Sequence, residues 1–510
     1  MSKKIILRCD FFNGSGVGHL KRTSLLAYAL QKNGYETFFL VDNIPPKNIL
    51  NIKIDYQQLP SEKFDELIEA DFIVKLANLN NIKIIVGDSY RITKKWVDKL
   101  KKNGLKVVLL DDFDVDLGAD LSVNYTPFNK FCSLYKSSRQ IRGPQFFLTD
   151  SKLCKSKEAY PKKIIAHAGG NGDYSKAKRI YLNLANISDK LGIQVDWICP
   201  NFSSIKNLKN IIKFNDNDKI LSWEKDSSKL WRNYQIVVGP ASTSLYEAII
   251  QGTLPVSFAI SNTQCTKLND WLSLGHGLHI NNEEKENSHF INLIFELALN
   301  NYKEFLKILR EQSKDLDGNG LERVVYAIES LIRNSKNRFL EKDNKIFEKG
   351  VVKCTFENSQ SFLLARNSKE VRGISTNPNH IISWPEHLKW WLNPEIDKYV
   401  FIEDLNHPEA YFWVKKWKIF KKGYITAGWF PSSKKTSLTS ILKILDWQIK
   451  YYSKKCSNYT WVATIKKDNK AAIAINQRFG FVDAGNETYN VLPKLFPGTD
   501  NNFKVFELNF

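Results

Sequence analysis

The chain has 510 residues, 43% hydrophobic and 25% charged, with 74 Lys and Arg against 54 Asp and Glu for a formal charge of +20. That length supplies about three domains and several cores without disulfides, and no apolar run reaches the ~20 residues a membrane-spanning helix needs. Seven scattered cysteines with no Cys-x-x-Cys pair argue against structural zinc and suit a reducing cytoplasm, and the charge comes with no zinc-finger, basic-zipper or RNA-recognition pattern, so no nucleic-acid partner is expected.

In chain order, Met1 to Leu7 is basic and then apolar, but the run breaks at Arg8 and Asp10 without a small-residue cleavage site, so it reads as a first strand and not a signal peptide. A strand over Lys4 to Cys9, a helix over His19 to Lys32 closed by Gly34 and a strand over Glu36 to Val41 make a βαβ unit. Ile82 to Val86, a helix from near Thr93 and Lys106 to Leu110 continue it, which implies a parallel sheet covered by helices. The stretch from Leu148 through Tyr160-Pro161 is polar and lacks a period, and a second alternating series begins at Ile164. It runs through Gln194 to Cys199, Gln235 to Val238 and Leu254 to Phe258 to helices ending near Arg333.

A charged segment poor in apolar residues, Asn334 to Lys345, reads as a linker. Beyond it, strands at Tyr399 to Ile402, Tyr411 to Val414, Tyr424 to Ala427 and Tyr459 to Ile465 surround helices near Trp384 to Leu392 and Thr439 to Tyr451. The reading is therefore α/β: two Rossmann-like lobes over 1–147 and 148–333, a linker over 334–352 and an α+β domain over 353–510.

After the first strand, glycines at 14, 16 and 18 permit a tight turn close to a ligand and put His19 at a helix start, above the carboxyl end of a parallel strand. A histidine there is suited to take a proton, although it is equally a helix cap in an ordinary glycine-rich turn. In the second series, Ala168-Gly169-Gly170-Asn171-Gly172 and Gly239-Pro240-Ala241-Ser242-Thr243-Ser244 each turn a strand into a helix, and two such turns can hold a pyrophosphate. Glu247 lies one helical turn after Thr243, where a carboxylate can accept from two ribose hydroxyls. Ser242 and Thr243 are also ordinary N-cap residues. Asp111, Asp112 and Asp114 raise a metal-binding reading, but acidic residues at a strand end commonly form turns, and no metal is expected.

Gly16-Val17-Gly18-His19-Leu20-Lys21-Arg22, Asp88-Ser89-Tyr90, Leu110-Asp111-Asp112, Gly143-Pro144, Gly169-Gly170 and Ala241-Ser242-Thr243 with Glu247 together resemble the UDP-sugar hydrolase family of pseudaminic acid biosynthesis. The resemblance covers roughly residues 4 to 280. It implies a GT-B-like fold, an inverting and metal-independent hydrolysis with His19 activating water, and Tyr90 facing the sugar. Ser242, Thr243 and Glu247 would hold UDP, with Asp10, Gly16, Gly18, Arg22, Gly169, Gly170, Asn171 and Gln264 as further substrate contacts. The family shows Asn-Gln after the next strand, where this chain has Asn262-Thr263-Gln264. A GT-B glycosyltransferase using a UDP-sugar donor, with a non-catalytic last domain, is the alternative.

From about residue 355, Ala365-Arg366-Asn367, Val371-Arg372, the run Ser383 to Trp390, and Asn469 with Phe479-Gly480-Phe481 resemble GNAT acetyltransferases, in particular the branch acetylating UDP-4-amino sugars. That implies a GNAT-like domain with acetyl-CoA as co-substrate and Asn469 among its contacts, and Lys434, Lys435, Thr436 and Ser437 offer side-chain charge and hydrogen bonds for the coenzyme at the place of the family's glycine-rich turn. Two departures are plain: the loop from Pro431 to Leu438 lacks the family's glycines, and Asn476 stands where many members carry a tyrosine general acid. Ser383 and Glu386 also fit a capping box.

Overall fold

The computed structural model describes residues 3–12, 18–45, 54–60, 64–111, 115–126, 139–150, 163–170, 172–222, 230–261, 264–265, 277–312, 316–333, 350–373, 375, 377–403, 408–432 and 437–510. The chain divides into two compact units, Met1–Lys345 and Ile346–Phe510, and the division falls within the segment read as a linker. Among the described residues no helix is long and apolar enough to cross a membrane.

The first unit holds two sheets. In lobe one, β1 (Lys4–Cys9), α1 (Gly18–Lys32), β2 (Glu36–Val41), β3 (Tyr56–Gln58), α2 (Glu66–Leu79), β4 (Ile84–Asp88), α3 (Lys94–Lys102), β5 (Lys106–Leu110), β6 (Leu121–Asn124) and β7 (Gln140–Arg142) follow one another. The strand order is β3-β2-β1-β4-β5-β6-β7, and every pair is parallel. Ile5, Ile6, Leu7, Ile85 and Val86 are fully buried, because strands covered by helices on both faces need apolar residues at every position. Helix starts follow their caps: Asp65 accepts from the backbone N–H groups of Leu67 and Ile68, and Thr93 from that of Lys95.

Lobe two repeats the pattern with β8 (Lys163–His167), α4 (Lys178–Leu191), β9 (Gln194–Ile198), α5 (Phe202–Lys209), β10 (Lys219–Leu221), β11 (Ile236–Pro240), α6 (Ser244–Ile250), β12 (Leu254–Phe258) and β13 (Leu278–Ile280). Its order is β10-β9-β8-β11-β12-β13, again all parallel. Helices α7 (Ser288–Asn300), α8 (Tyr302–Gln312) and α9 (Gly320–Ile332) complete the unit. The last returns to lobe one: Arg323 Nη1 donates to the Gln145 carbonyl at 2.9 Å, and Lys106 Nζ to the Leu331 carbonyl at 2.7 Å. Gly320 makes this docking possible, since a Cβ there would sit 2.0 Å from the Phe147 carbonyl oxygen.

The second unit is built on one mixed sheet. It contains β14 (Gly350–Lys353), α10 (Ser359–Arg366), α11 (Lys369–Gly373), α12 (Trp384–Trp391), β15 (Ile396–Ile402), β16 (Ala410–Ile419) and β17 (Lys422–Pro431). Then come α13 (Leu438–Lys455), β18 (Tyr459–Lys466), α14 (Lys470–Arg478), β19 (Val482–Asp483), α15 (Asn486–Leu495) and β20 (Phe503–Asn509), in the order β14-β15-β16-β17-β18-β20-β19. Among its described strands only β17 and β18 run parallel, which the intervening α13 permits. The capping box is formed: the Ser383 N–H donates to Glu386 Oε2 at 2.8 Å and the Glu386 N–H to Ser383 Oγ at 3.4 Å.

Candidate active site

In each lobe the strand order reverses at the first strand, between β1 and β4 and between β8 and β11, and the crevice outside such a reversal is where open parallel sheets bind ligands. Asp88 is the last residue of β4, and His19 is the second residue of the helix following β1. Neighbouring strands thus bring together two residues 69 positions apart: His19 Nδ1 lies 2.6 Å from Asp88 Oδ1.

Asp88 is fully buried, and its carboxylate is also bound by Arg22 Nε at 2.7 Å, Arg22 Nη2 at 2.5 Å and Thr23 Oγ1 at 2.7 Å. Burial alone would raise its pKa, but Arg22 and His19 beside it hold the carboxyl well below the usual carboxylate range. The contacts also settle the proton on His19. Arg22 Nη2 is 3.2 Å from Nδ1 but closer to Asp88, so the Nδ1–H donates to the carboxylate and Nε2 is left as the basic nitrogen. The Tyr90 ring, half exposed, stands edge-on to the imidazole with centroids 4.3 Å apart.

Two residues expected as substrate contacts serve this arrangement from beneath. The buried Arg22 guanidinium is spread over Asp88 and donates to the Tyr125 hydroxyl. Asp10, buried at the end of β1, pairs with Arg8, accepts from Arg91 Nη2 at 2.7 Å and accepts from the Tyr90 backbone N–H at 3.2 Å, so it anchors the loop carrying Tyr90. Burial pushes its carboxyl up, but Arg8 and Arg91 overcome that and hold it below its ordinary value. Gly18 opens α1 and is exposed, whereas Gly16 lies outside the described residues.

In lobe two, His167 ends β8 and Ser242 follows β11. His167 Nδ1 accepts from the Gly169 N–H at 3.2 Å, so its Nε2 carries the ring proton in the neutral form and donates to Ser244 Oγ at 3.3 Å. Ser244 Oγ lies 2.7 Å from Ser242 Oγ, which completes a chain from a buried imidazole to a half-buried hydroxyl. Burial pushes the His167 pKa down to about 4. Thr243 makes no side-chain capping bond to the helix it precedes. Gly169 takes a left-handed φ of +76°, which a side chain there would strain, and Gly170 follows it in the turn. Gln264 Oε1 accepts from the Ile260 N–H at 2.9 Å, and Asn171 lies outside the described residues.

Helix α6 joins the lobes through adjacent residues. Tyr246 stacks on Phe147 with centroids 4.5 Å apart and donates its hydroxyl to the Tyr125 carbonyl at 3.2 Å. Glu247, 4% exposed, receives Lys21 Nζ at 2.6 Å on Oε1 and the Trp231 Nε1–H at 3.4 Å on Oε2. Motif reading gave no role to Asp88, Lys21 or His167, although Asp88 and Lys21 lie within the quoted motifs.

In the second unit, Lys434, Lys435 and Thr436 lie outside the described residues. Ser437 and Asn469 cap α13 and α14, accepting from the N–H groups of Ser440 and Ala472, each at 3.1 Å. Asn476 donates its side-chain amide to the Ala472 carbonyl at 2.8 Å. Asp112 and Asp114 are outside the described residues, and Asp111 accepts from the Val115 N–H at 3.0 Å as a turn former does. Among the described residues no cluster of His, Cys, Asp and Glu is arranged to hold a metal ion.

Two parallel sheets, each with candidate ligand residues at its strand-order reversal, define the first unit as a two-lobed Rossmann-like α/β protein. No protein-family model matches the chain, and no curated protein matches it. Among solved structures it is similar to MnaA of S. aureus determined with UDP, at 12% identity and TM-score 0.48, covering 65% of this chain and 97% of that one. MurG of Acinetobacter baumannii is similar at 14% identity and TM-score 0.47, covering 64% and 99%. A glycosyltransferase from Rickettsia africae is similar at 12% identity and TM-score 0.47, covering 66% and 100%. At such identities nothing of their chemistry transfers to this chain.

Proposed function

We propose that the first unit hydrolyses a UDP-linked 2,4-diacetamido-2,4,6-trideoxy-hexose, a pseudaminic acid precursor, to UDP and free sugar, and that the second N-acetylates the UDP-4-amino sugar of the preceding step. The observation that supports hydrolysis is the buried His19–Asp88 pair, which leaves Nε2 basic. His19 Nε2 takes a proton from water as the water oxygen bonds to the anomeric carbon from the face opposite the nucleotide. The anomeric C–O bond breaks, its electron pair leaves with UDP, and the configuration inverts. Asp88, kept ionised, stabilises the imidazolium that forms and holds the ring in one tautomer. Tyr90 faces the sugar, while Ser242, Thr243 and Glu247 hold UDP.

Support for the acetyl transfer comes from the parallel β17–β18 ladder. It covers Gly423 to Thr426 and Tyr459 to Val462, while β17 continues to Pro431 and β18 to Lys466. Past the ladder these facing strands offer backbone donors and acceptors of the kind that the amide-bearing arm of acetyl-CoA can bind. There the sugar amine would bond to the thioester carbonyl carbon, the C–S bond would break, and the amine proton would leave with the CoA thiol.

The deciding experiment incubates the full chain with a panel of UDP-2,4-diamino sugars, with and without acetyl-CoA, following UDP, free sugar and acetylated product. Release of UDP and free sugar in equal amounts without any acceptor is expected. UDP release only after a glycosyl acceptor is added would replace hydrolysis by sugar transfer.

A further inference from the structure

The Lys21–Glu247 contact crosses from lobe one to lobe two, with one partner on α1 and the other on α6. It lies at the crevice, since Lys21 is two residues from His19 and Glu247 three from Ser244. The partners are unequally placed: the lysine side chain is 32% exposed, the glutamate only 6%. A buried carboxylate needs its donors, whereas a half-exposed ammonium is readily resolvated, so the pair separates by movement of the lysine.

We infer that Lys21 is a counter-ion exchanged on binding: a nucleoside diphosphate takes Glu247 with its ribose diol, and the released ammonium pairs with the diphosphate. The inference rests on the reading that lobe two holds UDP. Two vicinal hydroxyls can replace one ammonium on Glu247 without leaving the carboxylate bare, and Trp231 can keep its bond to Oε2. The freed Nζ sits on a flexible four-carbon stem beside the residues proposed to act on the sugar–phosphate bond. Placed on the diphosphate, it would offset the charge that grows on the leaving group as the anomeric bond breaks. Because the diol takes over the buried carboxylate as the half-exposed ammonium leaves, no charge is left uncompensated in the exchange, and the new charge-assisted contact to phosphate is among the stronger hydrogen bonds.

The exchange gives Lys21 opposite effects on two ligands, which a purely structural role would not. Titration calorimetry on the full chain compares uridine and UDP binding to the unsubstituted protein, Lys21→Met and Lys21→Arg. Uridine is expected to bind Lys21→Met about two- to fivefold tighter, because it no longer displaces an ammonium, while UDP binds about tenfold weaker. Lys21→Arg should restore most of the UDP affinity. Uridine and UDP affinities that move together, or that both stay unchanged in Lys21→Met, would overturn the exchange while leaving the nucleotide site standing. Failure of both ligands to bind the unsubstituted protein would remove the UDP reading itself, and the exchange with it.

Discussion

At the residue scale the chemistry rests on how Asp88 is held. Four hydrogen-bond donors converge on one buried carboxylate, which accounts for its depressed pKa despite burial and for the single tautomer of His19. His19→Gln should cut hydrolysis on the order of 10²- to 10⁴-fold and leave UDP affinity within about twofold, because the proposed nucleotide contacts are made by Ser242, Thr243 and Glu247 of lobe two and by Lys21, not by His19. Normal turnover in that variant would remove His19 from the mechanism. Asp88→Asn should lower turnover comparably and destabilise the protein as well, because it leaves the buried Arg22 short of a charge, at about 3–5 kcal/mol. A carboxyl held below its unfolded pKa stabilises the fold above about pH 4 and loses that contribution as the pH falls further. Thermal melting of Asp88→Asn should therefore be lowered at neutral pH, with the difference from the unsubstituted chain shrinking only under strong acid.

Buried histidines supply a second test at this scale. Burial pushes His167 down to about 4 and His279 to about 3, and burial together with Arg366 takes His387 to about 3. A histidine with a depressed folded pKa stabilises the fold fully above its unfolded value near 6.5 and loses that contribution as the pH falls toward the folded value. These three should show imidazole ring-proton resonances that stay at their neutral positions down to about pH 5 in nuclear magnetic resonance. Titration of His167 near pH 6.5 would refute its place as a buried neutral ring whose Nδ1 accepts from the Gly169 N–H.

At the element scale the strands and helices follow local rules closely enough to be read from the chain. The strands over Lys4–Cys9, Glu36–Val41, Lys106–Leu110 and Leu254–Phe258 lie where the apolar runs put them, because a strand buried on both faces has no other composition. The strands left unread are chiefly short ones: β3, β7, β10 and β13 have three residues each, too few to carry a period. The helix placed near Tyr174 begins as a 3₁₀ turn over Tyr174–Ala177 and becomes α4 only at Lys178. Helix α9 shows what periodicity cannot say, since its partner is lobe one and not the lobe preceding it in sequence. Gly320→Ala should push α9 away from the Phe147 carbonyl, lowering stability by about 1–3 kcal/mol in denaturant unfolding and loosening the Arg323 contact to Gln145. An unchanged unfolding midpoint would mean that the docking tolerates a side chain.

At the scale of the whole molecule, the two compact units predict independent folding. Residues 1–345 expressed alone should remain folded and release UDP from acetylated substrate at close to the full-length rate. Aggregation or inactivity of that fragment, beside an active full chain, would show that the second unit contributes to the first. The sequence by itself determined the alternation of strands and helices, the glycine-rich turns, the candidate histidine and the polar break between the units, because each is written in a run of neighbouring residues. Only the tertiary structure decided that β1 lies beside β4, that Asp88 meets His19 across 69 positions, that Arg22 and Asp10 are occupied beneath the site, and that Lys21 reaches Glu247 across 226. Those pairings depend on strand order and lobe closure, which are set by burial summed over the whole unit and leave no mark in any local pattern.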